Sequence, residues 1–219
     1  MDVHEKVILI TGGGRGIGAA MAKAFSDAGA KVVVVSRTEE EVGAVAADIG
    51  GLAIVGDVRS QEDCERIAKE VHVEFGAIDV LINNAGAAYN KPFTEHDEGD
   101  YEEIMDTNVK GVFLMTKAVF KYHPKIIVSI SSSAGKIGYP GLSVYCASKF
   151  AVRGLMESLS QETHAKVYTV FPGSVDTRMY QELFNEKARV KPEQVADMVV
   201  SLVQQEPKTG FELELYKSL

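Results

Sequence analysis

The sequence predicts an α/β protein built on one doubly wound parallel sheet of about seven strands, flanked by helices. Apolar runs of strand length alternate with helix-length stretches through nearly all of the 219 residues, which is typical of parallel sheets joined by right-handed crossovers. The runs are continuously apolar, as expected of strands that are covered on both faces. Residues suited to ligand binding follow one strand after another, at the carboxyl ends where such sheets bind ligands.

Each element is predicted from an apolar run or from the stretch that follows it. The first run, KVILIT, leads into a glycine-rich turn, and the second, KVVVVS, has the same continuous character. In chain order, the predicted strands are 6–11, 31–36, 52–56, 78–82, 125–131, 166–171 and 211–215. The helices predicted between them are 17–28, 38–48, 61–75, 100–121, 143–163 and 193–204. No linker or repeat divides the chain, so residues 1–219 are predicted to form one domain.

Composition and charge argue against several classes of function. The net charge is −8 and the isoelectric point is near 5.2, which argues against nucleic acid or an anionic membrane as the main partner. No apolar run approaches the length of a membrane span, and the N-terminus lacks the cationic start of a signal peptide. Cys64 and Cys146 fit no disulfide or metal pattern, and the five histidines form no ligand motif. We therefore expect a cytoplasmic protein with free thiols and no metal.

Residues 11–18 read TGGGRGIG and lie between the first strand and the first helix. Glycines there allow a tight turn whose backbone can approach a pyrophosphate at the N-terminus of the following helix. The spacing is T-G-x-x-x-G-x-G rather than G-x-G-x-x-G, because position 17 is Ile17. A flexible turn without a ligand is the alternative, but the position of the turn favours dinucleotide binding. The candidate contacts are Gly12, Gly14, Arg15, Gly16, Ile17 and Gly18.

The end of the second predicted strand indicates which nicotinamide cofactor binds. An acidic residue there would accept hydrogen bonds from a ribose 2′-hydroxyl and repel a 2′-phosphate, but the position holds Ser36, followed by Arg37. Together with Arg15 in the glycine-rich turn, they offer two guanidinium groups and a hydroxyl, which suit a phosphate. The acidic residues 39–41 speak slightly against this choice, and both arginines could be solvated surface groups. We expect NADP(H).

Tyr145 and Lys149, in the run YCASK, are the candidate catalytic pair. On a helix, residues four apart share a face one turn apart. An ammonium beside a phenol favours the phenolate and lowers the tyrosine pKa, which would make the phenol a proton donor or acceptor near neutrality. Such pairs also occur on ordinary amphipathic helices. The glycine-rich turn, an upstream serine cluster and Asn108 favour the catalytic interpretation.

Taken together, these motifs resemble those of the short-chain dehydrogenase/reductase family. The resemblance runs from about residue 5 to about residue 210, and the motifs occur in the family's order. They are TGGGRGIG, the GDV around Asp57, NNAG at 83–86, Asn108 in TNVKG, the serine cluster, YCASK and PGSVDT at 172–177. The resemblance implies a Rossmann fold and a nicotinamide-dependent oxidoreductase.

The resemblance also implies roles for the catalytic residues. Tyr145 is the general acid in reduction and the base in oxidation, and Lys149 lowers its pKa and hydrogen-bonds the nicotinamide ribose. A serine thirteen residues before the tyrosine polarises the substrate carbonyl, and that spacing selects Ser132 from the cluster at 131–133. Asn108 holds a water in a proton relay that reaches Lys149, although it could also be a structural helix residue.

Further cofactor contacts are implied at the ends of later strands. The family places adenine contacts after the third strand, the central channel after the fourth and the carboxamide site after the sixth. The corresponding residues are Asp57, Val58, Asn83, Asn84, Ala85, Gly86, Pro172, Gly173, Val175 and Thr177, with Tyr145 and Lys149 completing the set. Asn83 and Asn84 could instead be simple turn residues, and Asp57 a helix-cap neighbour.

The implied activity is hydride transfer between NADP(H) and a small-molecule carbonyl or secondary alcohol, such as a ketone, an aldehyde or a 3-oxoacyl compound. The alternatives are an NAD-dependent alcohol or sugar dehydrogenase and a dinucleotide-binding regulatory protein without turnover. Ser36 and Arg37 speak against the first, and retention of Tyr145 speaks against the second. Candidate substrate-lining residues are Ala87, Tyr89, Ile137, Tyr139, Tyr180 and Phe184.

The C-terminal part departs from the family pattern. Only 14 residues separate Thr177 from Pro192, and the last predicted strand is not followed by Asp-Gly-Gly. Closure over the substrate and the usual tetramer contact are therefore open questions. A homodimer or homotetramer is still expected, and the helix that carries Tyr145 could pair between subunits through its apolar residues or bury them in the core. Those residues are Phe150, Val152, Leu155, Met156 and Leu159.

Overall fold

The computed structural model describes residues 1–215, and the last four residues of the predicted domain lie outside this range. Seven parallel strands form one sheet in the order β3-β2-β1-β4-β5-β6-β7. The strands are β1 Val7–Thr11, β2 Lys31–Ser36, β3 Leu52–Val55, β4 Val80–Asn83, β5 Ile126–Ile130, β6 Lys166–Phe171 and β7 Phe211–Glu214. The doubly wound sheet predicted from the alternating runs is confirmed, with each strand within two residues of its predicted bounds.

Helices cover both faces of this sheet. They are α1 Gly16–Asp27, α2 Glu39–Ile49, α3 Gln61–Phe75, α4 Glu98–Met105, α5 Gly111–Phe120, α6 Ser143–Glu162, α7 Arg178–Phe184 and α8 Pro192–Gln205. Alternation along β1 sends Ile8 and Ile10 into a core closed by α1, α2 and α8, and sends Leu9 into a second core closed by α3, α5 and α6. The continuous apolar run in β1 therefore reflects burial on both sides.

The strand order reverses between β1 and β4. The chain moves outward from β1 to β3, returns to β4 beside β1, and then moves outward in the other direction to β7. The crevice at the carboxyl ends of β1 and β4 is the place where a doubly wound sheet binds ligands.

The helical stretch predicted over 100–121 is present, but it contains a π turn. Two helices, α4 and α5, are joined there by one π-helical turn, Asp106–Lys110. The helix also begins earlier than predicted, because the Asp97 and Asp100 side chains form a capping box at its N-terminus. A π turn widens the helix by one residue, often at functional sites, and this one carries Asn108.

The segment between Thr177 and Pro192 contains a short helix, α7, that was not predicted from the sequence. The Thr177 side chain caps it by accepting a hydrogen bond from the Tyr180 backbone N–H, and Asn185 ends it with a left-handed φ of 52°. A bridge between Val175 and Val190 closes the base of the segment. The 14 residues therefore form an ordered cover at the carboxyl edge of the sheet.

Four of the five apolar residues of α6 named from the sequence belong to the core or pack against it. Val152 and Met156 are each 1% exposed and belong to the core, and Leu155 and Leu159 pack against it. Phe150 is 44% exposed and is the one of the five that faces solvent. No helix within residues 1–215 is long and apolar enough to cross a membrane.

Candidate active site

One cavity of about 520 Å³ opens at the carboxyl edge of the sheet. It brings together nearly all of the site residues predicted from the sequence, from the glycine-rich turn to Thr177. Three of the predicted residues do not line it: Gly18, Asn83 and Asn108. The cavity also has walls that the sequence did not indicate, formed by Glu41, Leu142, Arg178 and Leu183.

The glycine-rich turn is packed so closely that side chains would not fit. Gly12 has a left-handed φ of 64°, and a Cβ there would lie 2.8 Å from Ala85 Cα. A Cβ on Gly18 would lie 2.1 Å from the Gly12 carbonyl oxygen. Gly18 therefore allows α1 to approach the end of β1, and its predicted contact with the cofactor is replaced by this packing role.

The N-terminus of α1 fits an anionic group. Its N-cap residue, Arg15, makes no capping hydrogen bond through its side chain, and the first turn contains no acidic residue. Backbone N–H groups at such a terminus are left without helical partners and carry a partial positive charge. Because the first turn lines the cavity through Gly16 and Ile17, these residues fit the pyrophosphate of a dinucleotide.

Asn84 ties the end of β4 to this turn. Its side-chain amide donates to the carbonyl oxygens of Thr11 and Gly12, at 3.0 and 3.1 Å. In return, the Thr11 hydroxyl accepts hydrogen bonds from the backbone N–H groups of Asn84 and Ala85. Asn84 lines the cavity, and its hydrogen bonds fix the shape of the turn.

Asn83, by contrast, points away from the cavity. Its amide donates to the hydroxyl of Thr116 at 3.0 Å and to that of Ser129 at 3.3 Å, and the residue is 3% exposed. The prediction that Asn83 lines the cofactor channel is therefore not met. Alternation along β4 explains the difference, since successive side chains of a strand face opposite sides of the sheet.

Tyr145 and Lys149 lie one turn apart on α6 and both line the cavity. The Tyr145 phenol lies close enough to the Ser132 hydroxyl for this hydroxyl to favour the phenolate form. The Lys149 ammonium lies 5.5 Å from the centre of the tyrosine ring and donates to the Ile130 carbonyl at 3.0 Å. A hydroxyl, a phenol and an ammonium thus converge at one end of the cavity.

The two neighbouring serines have other partners. The Ser131 hydroxyl donates to the Lys149 carbonyl at 3.1 Å, and the Ser133 hydroxyl accepts from the Tyr139 phenol at 3.1 Å. The Ser132 hydroxyl accepts a hydrogen bond from the Ala134 N–H at 3.1 Å and also interacts with Tyr145. Its role, selected by the thirteen-residue spacing, stays a prediction.

Burial dominates the electrostatics of the pair. It raises the pKa of Tyr145 to about 12, against the opposing effect of the Ser132 hydroxyl. It also lowers the pKa of Lys149 from 10.5 to about 8. The lowered tyrosine pKa expected from the sequence is not found, because desolvation disfavours both charged forms.

Asn108 lies beside the cavity rather than in its wall. Its amide nitrogen donates to the Ala87 carbonyl and the Ser148 hydroxyl, each at 2.9 Å, and its amide oxygen accepts from the Ala87 N–H at 2.8 Å. A Cβ added to Gly86 would lie 3.4 Å from the Asn108 amide oxygen and 3.7 Å from the Lys149 ammonium. The two side chains therefore border the same space at Gly86.

The opposite end of the cavity is formed by β2, α2 and the loop after β3. The Ser36 hydroxyl is bound locally, donating to the Thr38 carbonyl at 3.1 Å. Asp57 forms a two-pronged ion pair with Arg59, which holds the pKa of its carboxyl low despite partial burial. Arg37 forms no ion pair with any residue of the described range and stands at the cavity rim.

One part of the cavity wall is apolar and aromatic. Of the residues suggested from the sequence, Tyr139, Tyr180 and Phe184 line the cavity. The other three suggested residues, Ala87, Tyr89 and Ile137, do not. Tyr89 instead donates a hydrogen bond from its phenol to the Glu103 carboxylate.

Asn90 connects the loops around this part of the cavity wall. Its amide donates to the Leu183 carbonyl of α7 at 3.0 Å, and a Cβ on Gly141 would lie 2.1 Å from its amide oxygen. The next residue, Lys91, also bonds to the turn at Gly141, because its backbone N–H donates to the Gly141 carbonyl at 2.9 Å. One side chain therefore links the cover helix to the turn that leads into α6.

No group of three or more His, Cys, Asp or Glu side chains within residues 1–215 is arranged to hold a metal ion. Cys64 and Cys146 are both buried free thiols.

Comparison with known proteins agrees with this geometry. Residues 6–188 match the family model described as short chain dehydrogenase. An "uncharacterized oxidoreductase" of Thermotoga maritima is 37% identical over 215 residues, covering 93% of this chain and 84% of the relative. A 3-oxoacyl-[acyl-carrier-protein] reductase of Haemophilus influenzae is 34% identical over 194 residues, covering 84% and 80%.

Solved structures superpose over nearly the full length. A 3-ketoacyl-(acyl-carrier-protein) reductase from Brucella melitensis, complexed with NADH, has a TM-score of 0.92 at 28% identity and covers 97% of each chain. A short-chain dehydrogenase from Shigella flexneri, complexed with NADP, has a TM-score of 0.92 at 27% identity, covering 98% of this chain and 99% of that one. The chain is an oxidoreductase that belongs to the short-chain dehydrogenase/reductase family.

Proposed function

We propose that the protein is an NADP(H)-dependent reductase of a ketone, an aldehyde or a 3-oxoacyl compound, working in reverse as an alcohol dehydrogenase. The observation that carries the proposal is that Ser132, Tyr145 and Lys149 line one cavity. The same cavity is lined by the first turn of α1, whose N-terminus has no side-chain cap. One cavity thus combines a proton donor with a place for a dinucleotide.

Tyr145 and Ser132 act on the substrate oxygen. When bound, the reduced nicotinamide supplies a hydride to the carbonyl carbon. As the carbonyl oxygen gains negative charge, both hydroxyls donate hydrogen bonds to it, which is the stabilisation that an oxyanion requires. The Tyr145 proton then moves to that oxygen and completes the alcohol, and in oxidation the phenolate takes the proton back.

Lys149 and Asn108 support this proton transfer. The Lys149 ammonium is held by the Ile130 carbonyl, beside the tyrosine ring, and its positive charge favours the phenolate that remains after the proton has left. The Asn108 amide fixes the loop at Ala87 and borders the same space as Lys149 at Gly86. We propose that a water in that space takes part in a proton relay that reaches Lys149.

NADP(H) is the proposed cofactor because position 36 holds a serine and Arg37 is available for a phosphate. A guanidinium without an ion pair can form charge-assisted hydrogen bonds to phosphate oxygens. The related structures hold NADH in one case and NADP in another, so an NAD-dependent dehydrogenase is the second candidate. The carboxylate of Glu41 in the cavity wall favours that second candidate.

The proposed setting is a cytoplasmic homodimer or homotetramer. Two buried thiols without a disulfide suit a reducing compartment. The exposed Phe150 on α6 suits a contact between subunits.

The decisive experiment is a panel of ketones, aldehydes and 3-oxoacyl thioesters assayed with NADPH and with NADH by absorbance of the reduced nicotinamide. The Tyr145→Phe variant is assayed beside the parent, because it keeps the ring and removes the proton. We expect turnover to fall about 10²–10⁴-fold with an unchanged Kd for the cofactor. A Phe variant with parental turnover would contradict the mechanism, and an equal Kd of the parent for NADH and NADPH would contradict the cofactor assignment.

A further inference from the structure

Two arginines that line the cavity lie close to the same side-chain carboxylate. Glu41, in the first turn of α2, has its Oε1 atom 3.2 Å from Nη1 of Arg15 and 4.0 Å from Nη1 of Arg178. Arg15 belongs to the glycine-rich turn and Arg178 begins the cover helix α7, so the two guanidinium groups come from separate elements. All three residues line the cavity. Guanidinium groups that converge on a carboxylate can equally bind a phosphate.

The same carboxylate-bearing side chain lies next to the residues proposed for the 2′-phosphate. A Cβ at Gly14 would lie 3.0 Å from the Glu41 Cβ and 3.1 Å from the Ser36 hydroxyl oxygen. Glu41 and Ser36 therefore face the same glycine from α2 and from the end of β2. The Glu41 carboxylate is 3.2 Å from the Arg15 guanidinium, so a phosphate bound by Arg15 would lie close to a negative charge, and like charges at short range repel.

We infer that Glu41 is a specificity-determining residue of the cofactor site. Its carboxylate holds Arg15 and Arg178 and weakens binding of a ligand that carries a 2′-phosphate. The inference deepens the proposed function and rests on it. The Glu41 side chain is 30% exposed, so solvent and salt screen part of the repulsion. A loss of about threefold to tenfold in affinity corresponds to such a screened interaction.

The test uses two adenine nucleotides that do not undergo turnover. Adenosine 2′,5′-bisphosphate carries the phosphate in question, and adenosine 5′-monophosphate lacks it. Their dissociation constants are measured by titration calorimetry at low and at high ionic strength for the parent and Glu41→Gln. The matched control is Glu40→Gln, which makes the same change in net charge on the same turn of α2 at an exposed position outside the cavity wall.

We expect Glu41→Gln to bind the bisphosphate about threefold to tenfold more tightly than the parent at low salt, with the gain shrinking at high salt. Binding of the monophosphate should change less than about twofold, and Glu40→Gln should leave both constants near the parental values. An unchanged bisphosphate affinity in Glu41→Gln, or an equal gain in Glu40→Gln, would overturn the inference.

The preference of the parent between the two nucleotides distinguishes a failure of this inference from a failure of the proposed function. If the parent binds the bisphosphate no better than the monophosphate, the NADP(H) assignment fails. A gain confined to Glu41→Gln would still support the inference in that case, because it would identify Glu41 as the residue that suppresses the preference.

Discussion

Replacing Lys149 by methionine is expected to stabilise the fold near neutral pH while it abolishes turnover. Lys149 is 5% exposed, and its ammonium donates to the Ile130 carbonyl at 3.0 Å. Burial lowers its pKa from 10.5 to about 8. At neutral pH the folded protein therefore carries the Lys149 ammonium in a buried environment that disfavours its charge. Methionine fills a similar volume without that charge.

The pH window and the magnitude follow from proton linkage. The unfolded chain keeps the proton up to a pH of about 10.5, whereas the folded protein keeps it only up to about 8. The unfolded state thus binds more protons between these values, so stability rises with pH there, and the cost of burying the charge is complete below the lower value. This cost amounts to about 3 kcal/mol, and the lost hydrogen bond to Ile130 offsets about 1 kcal/mol. A net gain of about 2 kcal/mol is expected at pH 7.

The assay is urea unfolding of the parent and Lys149→Met between about pH 7 and pH 10. The advantage of the variant should shrink by about 2 kcal/mol over this range. The Cys64 thiol, whose pKa burial raises to about 12, contributes equally to both proteins and cancels in the difference. Lys69→Met, at an exposed position of α3, serves as the control and should show no such trend. A difference between parent and Lys149→Met that stays constant with pH would refute the reasoning.

Further substitutions test separate parts of the site. Ser132→Ala should lower kcat about 10²–10³-fold in steady-state assays, and a larger loss in Ser131→Ala would show that the serine assignment is off by one. Arg37→Ala should weaken NADPH about tenfold to a hundredfold in a fluorescence titration and leave NADH nearly unchanged, so equal losses would contradict its role. Asn90→Ala should raise KM for the substrate severalfold at an unchanged cofactor Kd, because its amide holds α7 at the Leu183 carbonyl. A fall in kcat without a change in KM would contradict that.

The fold could be predicted because the pattern that encodes it is local. Continuous apolar runs identify strands covered on both faces, and each run lies within two residues of an observed strand. The π turn Asp106–Lys110 could not be predicted, because nothing in its composition distinguishes it from ordinary helix. It places Asn108 where the side chain reaches Ala87 and Ser148, so tertiary hydrogen bonds stabilise a turn that local propensity does not favour.

The site could be predicted as a set of residues but not as a set of contacts. Spacing alone could not distinguish a glycine that faces the cavity from Gly18, which is needed where α1 meets the Gly12 carbonyl. Nor could it show that Asn83 turns toward Thr116 and Ser129 while Asn84 turns toward the cavity. Ion pairs between distant elements, such as the one between Glu41 and Arg178, depend on how the elements pack.

The pKa of Tyr145 depends on the same packing and leads to a prediction about direction. The sequence placed an ammonium one turn away and so predicted a lowered pKa, but burial raises it to about 12. The phenol therefore stays protonated at neutral pH, as the acid in reduction must be. Oxidation needs the phenolate, which becomes more abundant as pH rises toward that pKa. The oxidation rate should increase between about pH 7 and pH 9, whereas the reduction rate should not, in assays at saturating cofactor and alcohol or carbonyl. An oxidation rate that is independent of pH over this range would show that Lys149 and the bound ligands overcome the effect of burial.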